Sequence, residues 1–222
     1  RGLVDSTRDE AARQNYLNSW RGVTFQRKRI QDEWDEVAER LCDPDFELRT
    51  VPEDVYFLTC GIDVQKTHFV FTIYGWEKET QGHLVDYGEC DTWDDVEQLL
   101  DSTYEGWHLS FTLIDARDGN RTEEVIENCE RLTRRFRKVW PSMGSASGLM
   151  GGKSFYLKDV NDRTNARRKN VNRDFWMVTV NTGYWQTWIH NALVHRERGS
   201  RGGLRMPNSM LEDQDFWEQM LN

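Results

Sequence analysis

Cysteine and histidine are scarce, and long apolar runs are missing altogether, from this sequence of 222 residues. The four cysteines, at 42, 60, 90 and 129, stand 18, 30 and 39 residues apart. No zinc site and no Cys-x-x-Cys redox pair uses such gaps, so free, mostly buried thiols are predicted. The five histidines, at 68, 83, 108, 190 and 195, never form His-x-x-x-His, and the one Glu-x-x-His spacing, Glu105 to His108, straddles a Gly-Trp turn. A soft-metal centre is not expected. No stretch approaches the eighteen apolar residues of a membrane span, and the N-terminus lacks the apolar core of a signal peptide. The sequence therefore reads as soluble and intracellular. It opens Arg1-Gly2-Leu3 without Met, as expected of a processed chain or of a domain cut from a longer one.

What is present argues for a packed globular domain. Ten Trp, ten Phe and seven Tyr supply the large apolar groups that repay ordering entropy. The net charge of −9 conceals an asymmetry: residues 1–125 carry 13 Lys/Arg against 28 Asp/Glu, whereas residues 131–205 carry 16 against 4. The basic span is a candidate footprint for a polyanion, and a merely solvated basic surface is the competing reading.

Residues 1–41 carry Tyr16, Leu17, Trp20, Ile30, Trp34, Val37, Ala38 and Leu41 at three-and-four spacing among charges, which predicts an amphipathic helical arm. The turn-rich stretch 42–56 suits an extended linker. Two units follow, an arm with linker over 1–50 and a domain over 51–222. Strands are predicted over 57–64, 68–76 and 82–90, then a helix capped by Thr92. HLSFTLID (108–115) reads as a strand buried on both faces. A second helix follows, capped by Asn120 or Thr122. A Gly/Ser-rich loop occupies 142–153, strand-like pieces stand at 155–157 and 175–180, and a helix is marked by Tyr184, Trp185, Trp188, Ile189, Ala192 and Leu193. A three-strand meander leading into parallel strands with crossover helices is the ribonuclease-H-like α/β pattern, a mixed sheet with flanking helices.

Asp63 interrupts a strand of Leu, Cys, Ile and Val, and Asp115 ends the HLSFTLID run. Two carboxylates in apolar strands that the fold makes neighbours call for a hard cation with oxygen ligands, Mg²⁺ or Mn²⁺. The bland alternative is a helix cap for one and an Arg partner for the other. Asp118 is a further candidate for the metal shell, although Asp-Gly-Asn is also an ordinary turn. Gly151-Gly152-Lys153-Ser154 lacks the first glycine and the strand-to-helix context of a phosphate loop, which removes a nucleotide-hydrolysing motor. Lys153, Arg167, Arg168 and Lys169 are the expected DNA contacts.

Several strings carry a family resemblance. VPEDVYFLTCGIDVQ (51–65), YGW (74–76), LIDARDGNRTEEV (113–125), YWQTWIHNAL (184–193), LRMP (204–207) and DFWEQML near the end resemble, in order, the nuclease domain of the lambda-type bacteriophage terminase large subunit. RQNYLNSWRG (13–22) is similar to that family's segment between motor and nuclease. The resemblance implies a ribonuclease-H-like, two-metal endonuclease that cuts concatemeric double-stranded viral DNA in the host cytoplasm. Asp63 would bridge both metals and Asp115 would be the second ligand. It also implies the terminase small subunit, the portal and an N-terminal ATPase domain of the same polypeptide as partners. Ala116-Arg117-Asp118 departs from the small residues that follow the second acid in the family. A late third acid is expected beyond Asn222, with Glu212, Asp213 and Asp215 as in-chain candidates, so the second metal is expected to be weakly held. A non-catalytic nucleic-acid-binding or assembly module is the alternative.

Overall fold

A computed structural model describes residues 34–117, 121–145, 152–160 and 175–221. In chain order these form α1 (Trp34–Leu41), β1 (Cys42–Asp43), β2 (Phe57–Val64), β3 (Phe69–Trp76), β4 (Gly82–Cys90), α2 (Trp93–Asp101), β5 (Leu109–Asp115) and α3 (Thr122–Thr133). There follow β6 (Val139–Ser145), β7 (Phe155–Asp159), β8 (Trp176–Asn181), α4 (Thr182–Val194), β9 (Leu204–Pro207), a 3-10 turn at Asn208–Glu212 and α5 (Gln214–Leu221).

Among the described residues, nine strands join one sheet in the order β1-β9-β4-β3-β2-β5-β6-β8-β7. The β2–β3–β4 meander is antiparallel, and β5, β6 and β8 run parallel to β2. This is the ribonuclease-H-like arrangement that the order of elements predicts. Strand alternation divides β2 cleanly: Leu58, Cys60, Ile62 and Val64 are buried on one face, while Gly61 and Asp63 are exposed on the other. The buried side joins Phe69, Phe71 and Ile73 of β3 to Val96, Leu99 and Leu100 of α2 and to Val125, Ile126, Cys129 and Leu132 of α3. At about 25 cal/mol per Å² of apolar surface, this cluster supplies the main drive for folding.

A second core, on Leu84, Leu204 and Met206, is built from α1, α4 and α5 through Val37, Leu41, Leu193, Phe216 and Trp217. The turn-rich stretch 42–56 lies against the sheet: Cys42, Phe46 and Val55 are buried, and Arg49 N donates to Val85 O at 2.7 Å. Residues 1–33 of the expected arm lie outside the described residues. All four cysteines are free and buried, as their spacing predicts.

Four local expectations are revised. Thr92 does cap α2, with a full capping box to Asp95. α3, however, has no side-chain cap from Thr122, whose hydroxyl donates to Ala116 O at 2.8 Å, and Asn120 lies outside the described residues. β6 runs on to Ser145, into the stretch read as loop, because its backbone pairs with Ser142↔Val178 through Ser145↔Asn181 of β8. HLSFTLID is closed on one face only: Thr112 and Ile114 are buried, whereas Phe111, Leu113 and Asp115 are half-buried. Of the apolar residues that mark α4, Ala192 and Leu193 are buried while Tyr184, Trp185 and Ile189 are exposed, so apolarity there does not report burial. Among the described residues no helix is long and apolar enough to cross a membrane.

Candidate active site

The last register pair of β2 and β5 is Ile62↔Ile114, so Asp63 and Asp115 follow side by side at the C-terminal ends of neighbouring parallel strands. Ligands of open α/β sheets gather at this end. Both acids line one depression of about 320 Å³ with Gly61, Ile62, Val70, Thr72, Leu113 and Ser142. Ser142 is there because β6 pairs it with Asp115.

The two carboxylates differ in setting. Asp63 is exposed on the open face, not lodged in the apolar interior as its strand suggests, because alternation turns its side chain away from Ile62 and Val64. Its Oδ2 accepts a hydrogen bond from the Gln65 side-chain amide. Asp115 is half-buried, and burial pushes its carboxyl above the ordinary carboxylate range. The Asp63 charge adds to that rise, while the Arg117 backbone N–H, at 3.2 Å from Oδ1, and the Arg117 guanidinium oppose it. Two acids side by side, one of them reluctant to ionise, form a place where a cation relieves both repulsion and desolvation.

The buried strand acid is a third one. Asp86 of β4 is only 8% exposed, and its Oδ2 accepts from the Tyr104 hydroxyl at 2.8 Å with Arg49 Nε at 3.6 Å. Asp86 thus meets the arginine-paired description that was the bland alternative for Asp63 and Asp115.

Gly144 bounds the site beyond Ser142. A Cβ there would stand 2.8 Å from Thr182 Oγ1 and 3.2 Å from Arg117 Nη1, so glycine gives the hydroxyl and the guanidinium room at the end of β6. Lys153 is exposed at the same end of the sheet, since Asn181 donates its side-chain amide to Lys153 O at 3.0 Å and Ser145 pairs with Asn181. Asp118, Arg167, Arg168 and Lys169 lie outside the described residues. Asp213 is occupied elsewhere: Oδ1 caps α5 by accepting from Phe216 N at 3.0 Å, and Oδ2 takes the Tyr87 hydroxyl. Burial, then that bond, pushes the Tyr87 phenol up to about 12. Glu212 lies in the 3-10 turn and Asp215 in the first turn of α5, and none of the three lines the depression. Among the described residues, no group of three or more His, Cys, Asp or Glu stands together as a metal cluster.

The residues that sequence reasoning passed over are Gln65, Ser142 and Thr72. Gln65 had a signal, an amide two residues past a strand-end acid. Ser142 had none, because it enters through the β5–β6 register.

No curated protein matches the chain. Among solved structures it is similar to the large terminase nuclease of the thermophilic phage G20c, at 15% identity over 85% of this chain and 80% of that one, with a TM-score of 0.42. It is also similar to the nuclease domain of the large terminase subunit gp2 of bacterial virus Sf6, at 12% identity over 86% of this chain and 80% of that one, with a TM-score of 0.41. The family model of the terminase large subunit gpA endonuclease domain matches residues 2–222, nearly the whole sequence, and the chain belongs to that family of nucleases.

Proposed function

We propose that this domain is a metal-dependent endonuclease that hydrolyses phosphodiesters of concatemeric double-stranded DNA during viral packaging. The observation that carries the reading is the side-by-side placement of Asp63 and Asp115 at the C-terminal strand ends, on an open face, with Arg117 beside them. The donor set suits a hard ion, Mg²⁺ or Mn²⁺: carboxylate oxygens, no thiolate, no imidazole. Asp63 and Asp115 would hold it, with Asp63 shared if a second ion joins and Asp118 a further ligand. Such ions lower the pKa of bound water and neutralise charge on a phosphoryl group.

The chain's own residues do the rest. Asp63 and Asp115 orient the site, and because burial raises the Asp115 carboxyl, its ionised form is one that an arriving cation stabilises. Arg117 and Lys153 bind phosphates flanking the scissile one, fixing the duplex across the strand ends. Arg167, Arg168 and Lys169 extend that contact. In the hydrolysis itself a water oxygen bonds to phosphorus, one P–O ester bond breaks, and the leaving oxygen takes up a proton. Terminase small subunit, portal and an ATPase domain of the same polypeptide are the proposed partners, and the infected host's cytoplasm is the proposed place of action.

The test is plasmid cleavage in saturating Mn²⁺ together with a gel-shift assay. Asp63→Ala and Asp115→Ala should each lose cleavage, as should the chelated wild type, while DNA still shifts. Cleavage by both variants at the wild-type rate would refute the assignment. A wild type that shifts DNA and never cuts would mark the domain as a binding module.

A further inference from the structure

The corner between β2 and β3 reaches Asp63 from outside the depression. Gln65 follows β2 by one residue, and its side-chain amide donates to Asp63 Oδ2. Among the described residues, Oδ1 has no hydrogen-bond partner. The Gln65 backbone is held at both ends: its N–H donates to His68 O at 2.9 Å, and its carbonyl accepts from Arg121 Nη1 at 2.6 Å. Arg121 immediately precedes α3 and is itself fixed. Nε and Nη2 donate to Glu124 Oε2 and Oε1 at 3.0 and 2.9 Å, and the guanidinium lies 5.1 Å over the Phe69 ring. Trp93 of α2 donates its indole N–H to the same Glu124 Oε1 at 2.6 Å.

An exposed glutamine in a turn ordinarily keeps its rotamer freedom. Here His68, across the β2–β3 turn, and Arg121, at the start of α3, hold its backbone, and the amide is spent on one oxygen of one acid. We propose that Gln65 is a positioning residue for the cation site: it fixes the plane of the Asp63 carboxylate and leaves Oδ1 for the cation, with Arg121 and Glu124 anchoring the turn that carries it. The inference rests on the reading of Asp63 and Asp115 as cation ligands. Hydrogen bonds to a ligating carboxylate orient it before the ion arrives, and their loss typically costs ten- to a hundredfold in metal affinity. Arg121 also stands one residue before Thr122, whose hydroxyl holds Ala116 O, so the same corner steadies the backbone next to Asp115.

The experiment titrates Mn²⁺ and follows the free-ion signal by electron paramagnetic resonance, alongside thermal melting. The proteins are wild type, Gln65→Met, Gln65→Asn, Asp63→Asn and Asp115→Asn. Gln65→Met matches the length without a donor, and Gln65→Asn has a donor that falls short of Oδ2. Both should weaken Mn²⁺ binding about tenfold or more without moving the melting temperature. In cleavage, their Mn²⁺ midpoint should rise by more than the saturated rate falls. A purely structural role would lower the melting temperature and leave the midpoint in place. If both Gln65 variants bind within twofold of wild type while Asp63→Asn and Asp115→Asn abolish binding, Gln65 has no positioning role and the cation site stands. Should the two Asn variants bind Mn²⁺ as wild type does, the cation site itself is wrong and the role of Gln65 falls with it.

Discussion

The two faces of the sheet are made by the same strands and have opposite fates. On one, Cys60, Ile62 and Phe71 meet α2 and α3 and are closed from water. On the other, α1, α4 and α5 cover β9 and β4 through Leu84, Met206 and Trp217, and among the described residues that cover stops short of the ends of β2, β5 and β6. A carboxylate under the first cover would have to be paired, as Asp86 is with Tyr104 and Arg49. Where the second cover stops, the carboxylates of Asp63 and Asp115 lie within reach of solvent. Among the described residues, this patch is where the sheet presents charge rather than apolar contact.

Adjacent residues on opposite faces sharpen this contrast most. Asp63→Asn should lower cleavage by at least about a thousandfold and leave melting unchanged. Ile62→Ala, one residue earlier, should cost about 2–5 kcal/mol in a urea titration and retain metal-dependent cutting below its melting point. Equal stability losses in the two variants would erase the distinction between the faces. Next in size, Arg117→Ala and Lys153→Ala should each flatten the plot of log affinity for duplex DNA against log salt by about one unit, with little change in sequence preference. Unchanged slopes would move the DNA path off the open face.

The smallest effect comes from Asp115. A carboxyl whose folded pKa lies above its unfolded one destabilises the fold when ionised, and that cost vanishes as pH falls below the unfolded value. In chelator, Asp115→Asn should therefore raise the melting temperature at pH 7. The gain should fade below about pH 4. A variant less stable than wild type at pH 7 would show that the ionised carboxylate contributes packing or bonds of its own.

Much of the fold was legible because the meander and the strand after it alternate plainly, from Leu58-x-Cys60-x-Ile62 to the HLSFTLID run. The neighbourhood of Asp63 and Asp115 was legible for the same reason, since a meander followed by a parallel strand puts those strands side by side. What could not be read was which way each side chain points. Asp63 interrupts an apolar strand and is nonetheless exposed, because an isolated Gly61-Ile62-Asp63 stretch does not say which face the helices will cover. Asp86 sits in an equally plain strand and is the buried one. Long-range register hid the remainder: β9 pairs with β1 and β4 through two residues each, too few to leave a pattern in the sequence. Gly144 and Ser142 looked like loop because small residues pack well only where the β6–β8 pairing already exists.

Anomalous diffraction from crystals soaked in Mn²⁺ reads directly whether a cation sits between the two strand ends. A peak within ligand distance of both the Asp63 and the Asp115 carboxylates, lost in Asp63→Asn crystals, is the result predicted. Saturating Mn²⁺ that leaves this position without a peak, in crystals of a protein that cuts DNA, would contradict it.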